Sequence, residues 1–229
     1  GVKHYTEVLG GTMGSKMTIA PQNIKYVFEA VKSLVENGYK EINLNCVYEE
    51  GWNPRLASEL YKQLSLVGDY LLDNDLEDEV SLSIFDENNF FKPKTEGDDD
   101  TWCGGNGAMI SVDYKGDIYP CIRYMESSLG NDVPPIIIGN VDHGILKTET
   151  EIKYLQCLSC VTRRTENNDI CYYCPIASGC SNCLAYDYQT FGTPNKRATF
   201  ICVMHIARAL ANARFFNKYY FKHKMNKNS

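Results

Sequence analysis

The sequence predicts two parts: the trailing end of an α/β domain built on parallel strands, and behind it a small cysteine-rich α+β domain. Three observations predict this. In residues 16–85 apolar positions alternate between a period of two and a period near 3.6, giving strand–helix–strand–helix–strand. A polar segment, Lys92 to Thr101, then breaks the pattern. Beyond it, Cys171-Tyr-Tyr-Cys174-Pro-Ile-Ala-Ser-Gly-Cys180-Ser-Asn-Cys183 places four thiols in thirteen residues. Packing needs no such density of sulfur, whereas cysteines this close reach a common centre from tight turns, as metals and iron–sulfur clusters require.

The first strand is read at residues 16–20, entering Pro21. From Pro21 to Asn37, Ile24, Val27, Phe28, Val31, Leu34 and Val35 recur at three-and-four spacing, one buried face of a helix. Pro21 suits its first turn and Gly38 a left-handed stop. Between Tyr39 and Glu49, Ile42, Leu44 and Cys46 alternate with Asn43, Asn45 and Val47, as in a strand. A second helix is expected from Pro54 to Leu72 with Leu56, Leu60, Leu64, Val67 and Leu71 on one side, and a third strand from Val80 to Phe85. Three parallel strands with two crossover helices do not close a core, so these residues are expected to be the end of a larger domain. The boundary is placed at residues 91 and 92. Asp98-Asp99-Asp100 brings no further ligand pattern with it and reads as a solvated linker.

Past the boundary, Met109 to Tyr114 and Asp117 to Cys121 read as a hairpin turning through Lys115-Gly116. Ile136 to Asn140 reads as a further short β element. The stretch 145–170 starts helical and becomes a polar loop, and a long helix is expected from Asn195 to about Tyr220, carrying Cys202.

The net charge of −6 offers no broad basic field to nucleic acid or an anionic membrane. No stretch has the roughly 18 apolar residues of a membrane span. With no basic-then-apolar signal pattern, a cytoplasmic setting is expected, and in a reducing compartment ten cysteines suit metal ligation better than disulfides. Gly1 is not an initiator Met, which leaves room for a preceding segment, a signal included.

In full, the thiol pattern is Cys103-x12-Gly116-x4-Cys121, then Cys171-x2-Cys174-x5-Cys180-x2-Cys183, then Cys202. This resembles the SPASM domain of radical S-adenosylmethionine (SAM) enzymes that modify peptides and proteins, whose pattern is CX9–15GX4C, CX2CX5CX3C and one late cysteine. Seven cysteines match, and one interval departs: two residues rather than three separate Cys180 from Cys183. Cys174-Pro-Ile-Ala-Ser-Gly-Cys180 and Phe191-Gly-Thr-Pro-Asn-Lys-Arg-Ala-Thr are similar to the branch of radical SAM peptide maturases. The resemblance implies that residues 1–91 end a radical SAM partial (β/α) barrel. Residues 92–229 would then be an α+β SPASM domain of β-hairpin, cluster-binding loops and C-terminal helix.

It further implies two auxiliary [4Fe–4S] clusters. Cys103, Cys121 and Cys183 would serve the first, and Cys171, Cys174, Cys180 and Cys202 the second. The fourth position of the first cluster would be open or filled by Cys157 or Cys160, two thiols outside the seven-cysteine pattern. Taken without the resemblance, the middle motif fits zinc as well as iron–sulfur. Cys46 reads as packing, and His143 and His205 as hydrogen-bonded structural residues. Asn43 and Asn45 would face the barrel interior, where paired amides suit a nucleoside or a peptide backbone, or cap hydrogen bonds of the barrel itself.

No C-x3-C-x2-C, the motif that in this family holds the SAM-cleaving cluster, occurs in the chain. The chain alone is therefore not expected to generate a radical. The expectation is the C-terminal part of a peptide-modifying enzyme, with SAM bound only in the full-length context and a peptide substrate as partner, together with a missing N-terminal half of the barrel. The alternative is a non-catalytic peptide-binding module with structural zinc or clusters. Where the sulfatase-maturating branch has Asp after the GX4C cysteine, this chain has Ile122-Arg123, which argues against that branch.

Overall fold

The computed structural model describes residues 1–11, 13–88, 90, 101, 103–130, 133–166 and 169–226. In chain order its helices and strands are α1 (Val2–Leu9), β1 (Gly14–Ile19), α2 (Val27–Glu36), β2 (Glu41–Cys46), α3 (Pro54–Asp73) and β3 (Ser81–Leu82). There follow β4 (Ser111–Val112), β5 (Asp117–Tyr119), β6 (Gly139–Asn140), β7 (Gly144–Ile145), α4 (Glu149–Ser159), α5 (Asp169–Tyr172), α6 (Leu184–Phe191) and α7 (Cys202–Asn226). Two compact units result, one from residues 1–93 with 200–229, the other from residues 94–199.

In the first unit β1, β2 and β3 form a parallel sheet in that order. Strict alternation on β2 buries Ile42, Leu44 and Cys46 and leaves Glu41, Asn43 and Asn45 exposed. The buried face packs with Leu60, Leu64, Val67 and Leu71 of α3 and with Val27 and Val31 of α2. α3 starts where the sequence places it because Pro54 occupies its first turn and the Asn53 side chain accepts the Leu56 N–H at 3.0 Å.

Two boundaries move. Pro21 is not helical, because Asn23 takes the Ala20 N–H at 2.8 Å and donates to the Thr18 carbonyl at 3.1 Å. That holds 20–23 as a turn until a 3-10 helix opens at Ile24. β3 is shorter than the alternation from Val80 to Phe85 suggests. The Ser83 hydroxyl takes the Leu44 N–H at 2.8 Å and donates to the Leu44 carbonyl at 3.2 Å, replacing the backbone ladder.

The final helix is the largest departure. Residues 195–201 are not helical, and α7 starts at Cys202. Before it, the chain is tied to other loops: the N–H of Arg197 bonds the Glu166 carbonyl and that of Ala198 bonds an Asp187 carboxylate oxygen. Residues from Phe200 onward, assigned by the sequence to a second domain running from 92 to 229, belong to the first unit. Met204, Ala207, Ala211 and Phe215 join its core. Asp69 on α3 pairs with Arg214 at 2.8 Å and Lys218 at 2.7 Å.

The second unit holds an antiparallel sheet in the order β4-β5-β6-β7. The hairpin turns as the sequence predicts. Gly116 sits at φ +83°, and a Cβ there would lie 2.6 Å from Val141 Cγ2, so the position excludes side chains on both counts. Thr148 and Glu151 form a reciprocal capping box at the start of α4. Ile118, Tyr119, Tyr124, Ile136, Ile138, Leu158 and Ala185 make the core. The Asp98-Asp99-Asp100 run lies outside the described residues. Among the described residues, no helix is long and apolar enough to cross a membrane.

Candidate metal centre

The second unit gathers six of the seven pattern cysteines into two sets. Cys103 precedes a short 3-10 turn, Cys121 follows β5, and Cys183 caps the start of α6. The Cys103 and Cys121 sulfurs face the same residue: a Cβ on Gly105 would lie 3.4 Å from each. Glycine thus leaves open the space between two thiols, where any side chain would project. Cys183 joins them electrostatically. Burial first, with Cys103 and Cys121 adding to it against the Tyr186 N–H, pushes its thiol up to about 11. Burial likewise raises Cys121, with Cys103 adding to it. Tyr124, fully buried, lies against all three, its phenol held far above its ordinary value first by burial and then by Cys103, Cys121 and Cys183.

Cys171, Cys174 and Cys180 form the second set, with Cys171 raised first by burial and then by Cys180 and Cys174. Their loop is held by a buried polar network. Arg197 Nη1 donates to Glu166 Oε1 at 2.8 Å, and Nη2 lies 2.9 Å from Cys180 Sγ and 2.6 Å from the Cys180 carbonyl. The other Glu166 oxygen accepts from Asn182 Nδ2 at 3.2 Å, and the same amide donates to Asp187. Arg197, Glu166, Asn182 and Asp187 are each at most 7 % exposed. Burial pushes the Asp187 carboxyl up to about 7, against the pull of the Asn182 and Ala198 N–H donors. The polar character of these residues hid them from a periodicity search. The visible signal was the stretch from Phe191 to Thr199, which contains Arg197 but does not say what it holds.

Cys202 lies in the first unit, half-buried at the first position of α7. Cys157 and Cys160 are exposed at the end of α4. All ten cysteines are reduced. Among the described residues, no three His, Cys, Asp or Glu side chains are drawn to metal-ligand distance of one another. The donor chemistry nevertheless suits a thiophilic metal or cluster, since the Cys103 and Cys121 sulfurs flank a space that Gly105 leaves open and four further thiols of the pattern belong to the same unit. Thiols whose burial favours the neutral form must give up protons to bind, so uptake weakens as pH falls.

In the first unit, Asn43 and Asn45 lie on the exposed face of β2, the Asn45 amide donating to Asn43 Oδ1 at 2.6 Å. Asn43 also lines an open groove of about 540 Å³ with Gly14, Ser15, Lys16, Ser81 and Ser83; Asn45 does not. Cys46 is buried, its thiol pushed up to about 11 by burial. His205 is fully buried with Nδ1 3.1 Å from Arg208, while His143 is exposed beside Glu151.

No protein-family model matches the chain, and no curated protein does. Solved structures match its fold. Native anSMEcpe with bound AdoMet and the Cp18Cys peptide superposes with a TM-score of 0.60 at 15 % identity, covering 94 % of this chain and 60 % of that one. Polyhistidine-tagged anSMEcpe with bound AdoMet gives 0.59 at 16 % identity, covering 94 % and 56 %. The chain therefore has the fold of part of anSMEcpe and spans less than two thirds of that protein's length.

Proposed function

We propose that this chain is the C-terminal part of a radical SAM enzyme that modifies a peptide, its cysteine-rich unit holding two auxiliary [4Fe–4S] clusters. The observation that carries this is the sorting of the thiols. The Cys103 and Cys121 sulfurs flank Gly105 beside Tyr124, Cys183 packs on the same core, and Arg197 holds the Cys180 sulfur in the loop that carries Cys171 and Cys174, which supports the partition that the seven-cysteine resemblance implies. When bound, such clusters supply one-electron transfer. The residues of the chain contribute the rest: thiolate donors, a dry wall at Tyr124, and a guanidinium that fixes Cys180.

SAM and a peptide would bind only with the remainder of the barrel present. In that context Asn43 and Asn45, exposed on the polar face of the sheet, would offer amide contacts to a nucleoside or a peptide backbone. Because Ile122 stands where the sulfatase-maturating branch has an acidic residue, the reaction of that branch is not part of the proposal.

Anaerobic reconstitution with iron and sulfide tests the proposal. About eight irons per chain with a brown chromophore are expected for two four-iron clusters. Stoichiometric zinc with no chromophore after reconstitution would replace it with the structural-zinc module.

A further inference from the structure

We infer that Arg197 is a positioning residue that sets both the affinity and the electron affinity of the site containing Cys180. The inference rests on the function proposed above for the metal centre and deepens it. Four facts lead to it. The guanidinium is 7 % exposed, so its charge acts with little screening. Its Nη2 reaches the Cys180 sulfur at 2.9 Å, and the carbonyls of Cys180 and Ser181 at 2.6 and 3.1 Å. One nitrogen thus holds a candidate ligand by its sulfur and by the backbone beside it. Glu166, at 2.8 Å from Nη1, holds the guanidinium in place with an ion pair that is itself buried. Finally, the second Glu166 oxygen continues the network through Asn182, the residue next to Cys183, which belongs to the other set of thiols.

The physical consequence has two parts. Arg keeps its charge at any working pH, so it offers a fixed positive charge beside a sulfur that would carry negative charge on a metal, and it pre-orients that sulfur. A donor on a cluster sulfur also withdraws electron density from it, which favours the reduced state. A lysine cannot do both, because its single ammonium lacks the fork that binds Glu166 and Cys180 together. The network runs from Cys180 to the Asn182 side chain, one residue before Cys183. This is the place where the chain has one residue fewer than the family interval.

Two variants of the full chain test this, R197K and the charge-neutral R197M/E166Q, which avoids leaving Glu166 buried and unpaired. Cobalt(II) titration of the metal-free chain, followed by thiolate-to-cobalt absorption, reads affinity without any cluster. Both variants are expected to lose about tenfold or more, the range for removing a partner of a metal ligand. In the reconstituted chain, potentiometry monitored by electron paramagnetic resonance reads the second property. R197M/E166Q is expected to lower the reduction equilibrium constant of one cluster about tenfold, or ~59 mV for one electron, and to leave the other cluster near its wild-type value. Folded variants with wild-type cobalt affinity and wild-type potentials would overturn the inference. Loss of far-UV circular dichroism in both variants would overturn it too, by assigning Arg197 to the fold. Failure of any chain to take up iron–sulfur would instead sink the proposed function, while the cobalt titration still decides the role of Arg197.

Discussion

Replacing Gly68 by valine perturbs the place where α3 meets α7, a contact that no pattern in the sequence announces. Gly68 is buried in the middle of α3, and a Cβ there would lie 3.1 Å from Phe215 Cδ2 and 3.4 Å from Phe85 Cζ. Those two rings stack on each other at 4.4 Å and 8°. Phe215 is backed in turn by Phe216 at 5.1 Å and Tyr219 at 6.3 Å, so it has little room to swing away. Helix propensity works the other way, since exchanging glycine for valine within a helix returns about 0.3–0.5 kcal/mol. Forcing extra methyl groups into a packed contact costs about 1–3 kcal/mol. The overpacking wins, and a net loss of about 2 kcal/mol is expected. Trp52 reports on the same unit, being 6 % exposed with its Nε1 donating to the Val47 carbonyl at 3.0 Å. With a urea slope of about 2 kcal/mol per molar, the midpoint followed by Trp52 fluorescence should fall by about 1 M. A midpoint that stays unchanged or rises would refute the packing of α7 on α3 at Gly68. Alanine, adding only the Cβ, should sit between the two, because its propensity gain of about 1 kcal/mol nearly offsets a contact that must yield by a few tenths of an ångström.

Leu60→Ala, at a fully buried α3 position in the same core, is expected to cost about 3 kcal/mol through lost transfer and residual cavity, read as a urea midpoint shift. Cys46 gives the pH dependence. Burial pushes its folded value up to about 11 from 9.0, so the folded state holds the proton more tightly. Its contribution is complete below pH about 9 and is lost as pH rises towards about 11, with an upper bound of about 3 kcal/mol. Measured against Cys46→Val, the stability difference should be flat from about pH 6 to about 8.5 and decline above it; a flat difference to about pH 10.5 would refute the burial argument.

Much of the first unit was legible because its signals are periodic. Ile42, Leu44 and Cys46 declare a half-buried strand, and Asn53-Pro54 declares the start of α3. What escaped was set by side chains that capture backbone groups. Asn23 delays a helix, Ser83 cuts a strand short, and Asp187 and the Arg197 side chain tie residues 197 and 198 to other loops ahead of α7, which begins at Cys202 rather than Asn195. In the candidate site, cysteine spacing singled out the seven thiols of the pattern, six of which lie in the second unit. It could not reveal Arg197 or Glu166, because a buried ion pair has no period and neither residue carries a mark of its partner. Assigning the last helix to the wrong unit had the same origin, since its apolar face fits any core equally well on paper.

The return of α7 to the first unit has a consequence for synthesis. A unit built from residues 1–93 and 200–229 is discontinuous, so its core lacks Met204, Ala207, Ala211 and Phe215 until almost the whole chain has been made. The contiguous second unit can collapse earlier, as it leaves the ribosome. Until the last helix arrives, the face of α3 around Ala57, Tyr61 and Gly68 waits with apolar surface uncovered, which is the stage at which a chaperone has most to bind. Truncations before residue 202 should therefore aggregate through the first unit while leaving the cysteine-rich unit able to fold.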